Sequence, residues 1–240
     1  MTDSVFTEIQ DLLDTDPRAA TNRARALLKE DPDDHQTRHL LGLAYLATGR
    51  PEEALAAFEH VLSHGHNSVE TRINLSVAMV AVGRTREARQ LLTELRSVSP
   101  ENPSVLDNLT LTHIENGDLS SALWSADERI DLDDTDPEGY FLRGNTHLLA
   151  GRSKEASEDF KRATQLDAKD PRYQFNLGFA LYQRGKVSDA GRSLRRFYTN
   201  DPDAAAQHVY ENANSLFGKA RSYIAGKSSS LDGHSYGTRL

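Results

Sequence analysis

The chain has no cysteine. That removes disulfides, cysteine-based zinc sites and cysteine nucleophiles from its possible chemistry. Basic residues are in deficit: 28 Lys and Arg stand against 36 Asp and Glu, for a net charge of −8. There is no long basic run, and nucleic-acid affinity comes largely from Lys and Arg on phosphates, so no nucleic-acid partner is expected. No apolar stretch approaches the roughly 20 residues of a membrane span; the longest candidate, Leu75 to Val82, is far shorter. The N-terminus, MTDSVFTEIQDLL, carries acids where a signal peptide needs a basic start, and a cytoplasmic location is expected. Nucleophile elbows, phosphate-binding glycine loops and HExxH are all missing. Neither catalysis nor a bound cofactor is expected.

What the chain does contain is a repeat, clearest in LGLAYLATGRP, Leu41–Pro51. Leu41, Gly42 and Tyr45 form an apolar stripe with a gap in it on one helical face. Gly49 breaks that helix, and Ala54 and Phe58, four apart, form the stripe of a second. The small Gly42 and Ala54 allow the two helices to approach closely. A 34-residue frame starting at Met1, His35, Val69, Pro103, Pro137 and Pro171 brings like residues together. Position 8 holds Gly42, Ser76, Thr110, Gly144 and Gly178. Position 15 holds Gly49, Gly83, Gly117, Gly151 and Gly185, suited to the positive φ that follows a helix. Position 20 is Ala20, Ala54, Ala88, Ala122, Ala156 and Ala190, where a larger side chain would push crossing helices apart. Position 32 is proline in Pro32, Pro100 and Pro202, which ends the second helix.

This pattern resembles the tetratricopeptide repeat, a helix-turn-helix unit that buries its apolar face only by stacking on its neighbours. The resemblance implies an all-α, right-handed superhelical solenoid. The units run 1–34, 35–68, 69–102, 103–136, 137–170 and 171–204. The first unit lacks the glycine and tyrosine of its first helix, as suits a terminal, capping repeat. In the fourth, Ala126 and Arg129 replace a bulky and a small residue, and looser packing is expected there. Val209, Ala213, Leu216, Phe217, Ala220 and Ile224 recur at helical spacing. They predict a C-terminal capping helix over 205–225 that covers the last repeat or makes a dimer contact. The glycine- and serine-rich tail, 226–240, is expected to be disordered or a short docking peptide.

On the first helix of each unit, positions 4, 7, 8 and 11 share one face, and positions 2, 5, 6, 9 and 13 lie opposite. In the family the opposite face lines a concave groove that holds peptides or short helices. Position 6 is Asn74, Asn108 and Asn176, and position 9 adds Asn145. Asparagine is a poor interior helix residue. Either its carboxamides bind a peptide backbone, since they donate and accept, or they keep an exposed face soluble. Phe141, Phe175, Phe179 and, at the edge, Tyr182 give the same face aromatic character toward the C-terminal end. They are read either as an exposed interaction patch or as packing between helices. Arg172 is placed to pair with an acidic ligand group. The chaperone-tail clamp of the family needs lysine at position 5. That position reads His39, Ile73, Asp107, Phe141 and Phe175 here, which argues against a clamp.

Trp124, the only tryptophan, falls on the outward face of a second helix and is a candidate second interface. His60 and His64 are one turn apart near His66, and Asp131, Asp133, Asp134 and Asp136 crowd one turn. The first group reads as a surface cluster and the second lacks calcium-loop spacing, so no metal is expected. The functional expectation is a non-catalytic adaptor that binds a peptide or helix of another protein in its groove. Two other readings stay open. One is a secretion or assembly chaperone shielding an exported subunit. The other is a scaffold that self-associates through its first unit or C-terminal helix.

Overall fold

The computed structural model describes residues 2–200, and the helix and tail expected over 205–225 and 226–240 lie outside the described residues. Twelve α-helices and no strand occur in the described chain. They are α1 (Thr2–Thr15), α2 (Pro17–Glu30), α3 (His35–Ala47), α4 (Pro51–Ser63), α5 (Val69–Ala81), α6 (Thr85–Val98), α7 (Pro103–Glu115), α8 (Leu119–Leu132), α9 (Pro137–Leu149), α10 (Ser153–Leu166), α11 (Pro171–Gln183) and α12 (Val187–Asn200). The even helices start at residues 17, 51, 85, 119, 153 and 187, a fixed step of 34. From α3 on, the odd helices keep the same step.

The starts have local causes. Asp16, Asp34, Asp136 and Asp170 accept backbone N–H bonds at the N-termini of α2, α3, α9 and α11. Proline occupies the first turn of α2, α4, α9 and α11, where a missing N–H leaves no hydrogen bond unmade. Each odd helix from α3 to α11 ends at a glycine with φ between 69° and 83°, from Gly49 to Gly185, a conformation that other residues enter at a cost.

The chain divides into two compact units, one up to Asn108 and the other from Leu109 on. In the first, each helix from α1 to α6 packs on the next, and α3 also touches α1 and α5. In the second, the helices from α8 to α12 pack in the same serial way, and α9 touches α11. Both are built as an all-α solenoid of helical repeats.

Within a pair, the small residue at position 8 faces the residue at position 24. A Cβ added at Gly42 would lie 2.6 Å from the Phe58 ring, and one at Gly144 would lie 2.7 Å from the Phe160 ring. At Gly178 the neighbour is Leu194, 2.8 Å away. Where position 8 grows to the buried Ser76, position 24 is the smaller Leu92, and where it is the buried Thr110, position 24 is Ala126. In the fourth repeat the small Ala126 at position 24 thus goes with a larger position 8. Its Arg129 is also buried and pairs with Asp136, so the charge that sequence pattern made suspect has a partner.

Candidate protein-binding surface

In the first unit the asparagine at position 6 is tied to the preceding repeat. Asn74 on α5 places Nδ2 3.4 Å from Nε2 of His39 on α3. His39 Nδ1 lies 2.9 Å from the Thr71 hydroxyl, and Nε2 lies 3.6 Å from Glu70. With Nδ1 donating to Thr71, the neutral ring leaves Nε2 as acceptor for Asn74. Burial pushes the His39 pKa down, and Glu70 opposes it. Next to this network is a cavity of about 400 Å³, lined among others by Phe6, His35, His39, His66, Ser68 and Glu70. Val77, one turn on from Asn74, is 36% exposed. Asn108 on α7 donates Nδ2 to Ser104 O of its own helix at 2.8 Å.

In the second unit the aromatic residues divide. Phe141 is 8% exposed; its ring sits 5.3 Å from Tyr173 and 6.0 Å from Phe160. Helical periodicity put it on the open face, but α11 crosses that face and covers it. Phe175 is half-buried, its ring 5.1 Å from Phe197 of α12. Phe179 is half-buried against the same core cluster as Phe141. Tyr182 is 63% exposed. The structure thus brings Phe141 and Arg172 into one cluster and leaves Tyr182 at the surface.

Arg172 is already engaged. It pairs with Asp170 at 2.7 Å and Glu138 at 3.0 Å, and its guanidinium carbon lies 4.9 Å from the Phe141 ring centre. Burial works against its charge, and Asp170 and Glu138 outweigh it, raising the pKa. Burial, with Glu138 next, raises that of Tyr173, whose hydroxyl lies 3.3 Å from Glu138. The two asparagines here are largely enclosed. Asn176 donates to Arg172 O at 2.8 Å. Asn145 is 4% exposed and its Oδ1 is buried with no hydrogen-bond partner.

Sequence pattern missed a charged junction in this unit. Arg143 on α9 reaches Asp159 on α10 at 2.6 Å and Asp127 on α8 at 2.7 Å, and His147 lies 3.8 Å from Asp159. Burial holds the His147 pKa down, partly offset by Asp159. The available signal was register: positions 7 and 23 of one unit carry opposite charges. Trp124 on α8 is 50% exposed between buried Ala122 and Ala126. Among the described residues, no group of three or more His, Asp or Glu is placed to hold a metal ion. No described helix is long and apolar enough to cross a membrane.

Three family models match: a TPR repeat model over residues 144–185, and two tetratricopeptide repeat models over 12–74 and 69–94. No curated protein matches the chain in sequence. Among solved structures, a thermophilic TPR protein of Thermus thermophilus, TTC0263, superposes with a TM-score of 0.62 at 18% identity. That match covers 80% of this chain and 99% of the other. A tetratricopeptide repeat protein from Parabacteroides merdae ATCC 43184 gives 0.62 at 18% identity over 92% of both chains. MamA from Desulfovibrio magneticus RS-1, solved from residue 41, gives 0.57 at 18% identity over 71% of this chain and 97% of that one. At these identities the likeness shows the fold. Helix pairs at a fixed step, glycine-closed first helices and serial packing agree with it, and the chain belongs to the tetratricopeptide repeat superfamily.

Proposed function

We propose that the chain is a non-catalytic adaptor that binds a peptide or helix of another protein on the groove-lining face of its odd-numbered helices, opposite the core, with 1–34 through 171–204 as its six repeats. One observation supports this most. An asparagine with a large apolar residue three positions on recurs at Asn74 and Val77, Asn108 and Leu111, and Asn176 and Phe179. Residues three apart share a helical face. Val77 and Leu111 are 36% and 45% exposed in mid-helix, where a solvated face would carry polar side chains. An apolar anchor beside a carboxamide suits a peptide, whose backbone both donates and accepts. Tyr182 extends the apolar face of α11.

The test is capture from native lysate with mass-spectrometric identification. Wild type would be compared with a Val77→Asp, Leu111→Asp variant, whose circular dichroism should match wild type because both positions are exposed. A partner captured by wild type and lost by the variant is the expected result. A partner kept equally by both would move the site off this face, toward Trp124 or the residues after 200. Capture of nothing but the protein itself would favour self-assembly.

A further inference from the structure

Four imidazoles meet at one corner of the first unit. His35 opens α3, His60 lies in the last turn of α4, His64 is its C-cap, and His66 sits in the turn to α5. The rings of His35 and His66 are 4.0 Å apart, and those of His60 and His64 are stacked at 4.1 Å. His35 joins the two pairs, 5.3 Å from His64 and 6.1 Å from His60. Only this repeat has the group. Where His66 stands, other units carry Pro32, Pro100, Asp134, Ala168 and Pro202, and where His35 stands they carry Met1, Val69, Pro103, Pro137 and Pro171.

The cluster is built for neutral rings. Nδ1 of His35 and Nδ1 of His60 are buried without a hydrogen-bond partner. His64 Nδ1 donates to His60 O at 2.8 Å. None of the four rings has a carboxylate hydrogen-bond partner among the described residues. The charged groups around them are few. Asp33, just before α3, favours protonation of His35 and His60, and Arg38 on α3 opposes it. Glu59 on α4 is bonded to Arg84, and Glu70 on α5 serves His39. Burial first, then the neighbouring imidazoles and Arg38, hold His35 and His60 below the ordinary histidine range.

We propose that these histidines form a pH-sensitive latch between the first turn of α3 and the α4–α5 turn, closed when the rings are neutral and opened when they are protonated. Two imidazolium rings about 4 Å apart repel, and no carboxylate is in hydrogen-bonding position to take up the charge. The direction follows from linkage. The unfolded chain binds protons near pH 6.5, before the folded His35 and His60 do. The stability that the cluster contributes is therefore full above about pH 6.5 and is lost as the pH falls below it. His35 and His66 also line the 400 Å³ cavity, so opening the latch moves its wall.

The test uses the full chain with a chelator present. Histidine ring-proton titration by NMR should show His35 and His60 with midpoints below the ordinary histidine value and stretched by mutual coupling. Hydrogen exchange, corrected for its intrinsic pH dependence, should quicken in residues 35–38 and 64–68 between about pH 7.5 and pH 5.5. The rise should be severalfold, with no matching rise in α11 and α12, which carry no histidine. A His35→Gln, His66→Gln variant should lose that pH response. Independent titration of His35 and His60 at the ordinary value would overturn the latch, as would pH-independent exchange in these segments or the same response in the variant. If the variant fails to fold, the wild-type titration and exchange decide alone.

Discussion

In the first unit the helices meet through Leu41, Tyr45, Phe58, Leu75 and Met79, and its ion pairs lie in partly exposed positions such as Arg23–Glu8 and Arg50–Glu53. In the second, charges enter the helix junctions. Asp159 is buried between Arg143 and His147, Arg129 is buried against Asp136, and Arg172 lies over Phe141 while holding Glu138 and Asp170. The backbone step and the glycine turns are the same in both. The repeat register thus fixes where helices go and leaves open what holds them. An apolar contact tolerates small changes in orientation, whereas a buried pair imposes one geometry and becomes a liability when one partner is removed.

The sharpest way to break this comparison is Asp159→Asn. It leaves Arg143 with Asp127 alone in a partly enclosed site. Removing one member of a buried pair costs about 3 kcal/mol, and the loss should appear as a lower urea midpoint and faster hydrogen exchange in α9 and α10. An unchanged midpoint would show that the second unit is held by its apolar cluster, like the first. Next in size is Gly42→Ala, which drives a Cβ into the Phe58 ring. Overpacking of this kind costs about 1–3 kcal/mol. Gly144→Ala should cost the same against Phe160, because this contact is common to both units. Gly178→Ala should cost less, since the aliphatic Leu194 can change rotamer where a ring cannot. Adding Phe58→Leu to Gly42→Ala should recover part of the loss, reproducing the graded match of Ser76 with Leu92. A double variant no better than the sum of its singles would refute that match.

The helices, their step and their closing glycines were legible because they follow from periodicity, and periodicity is a property of one stretch of chain. The surroundings of the candidate site were not. A helical wheel shows which residues of α9 lie together, but not that α11 crosses that face, so Phe141 reads as open and is buried. Asn74 reads as a free carboxamide and has His39 from the preceding repeat as its neighbour. His35 stands 25 residues before His60 in sequence and completes the imidazole cluster only through the fold. In each case the deciding neighbour comes from another helix, where neither composition nor spacing points. Arg129 marks the same boundary: pattern shows a charge at an interior position, and only the fold supplies Asp136.

The smallest expected effect sharpens the comparison from the other side. Arg84, at the N-terminus of α6, bonds Glu87 of its own helix and Glu59 of α4 at 3.1 Å, and all three side chains are more than a third exposed. Hydrogen bonds to both glutamates raise the arginine pKa, yet water surrounds the group. Exposed pairs in high dielectric are weak, and each must also hold two long side chains in one geometry. Glu59→Gln should therefore leave the urea midpoint nearly where it is. Any small shift should vanish at about 0.5 M salt, where screening acts within a few ångströms. The loss from Asp159→Asn should persist in the same salt, because the buried carboxylate is shielded from counter-ions. If the two substitutions responded to salt alike, burial would not be what separates the two units, and the difference between them would reduce to the number of charges each carries.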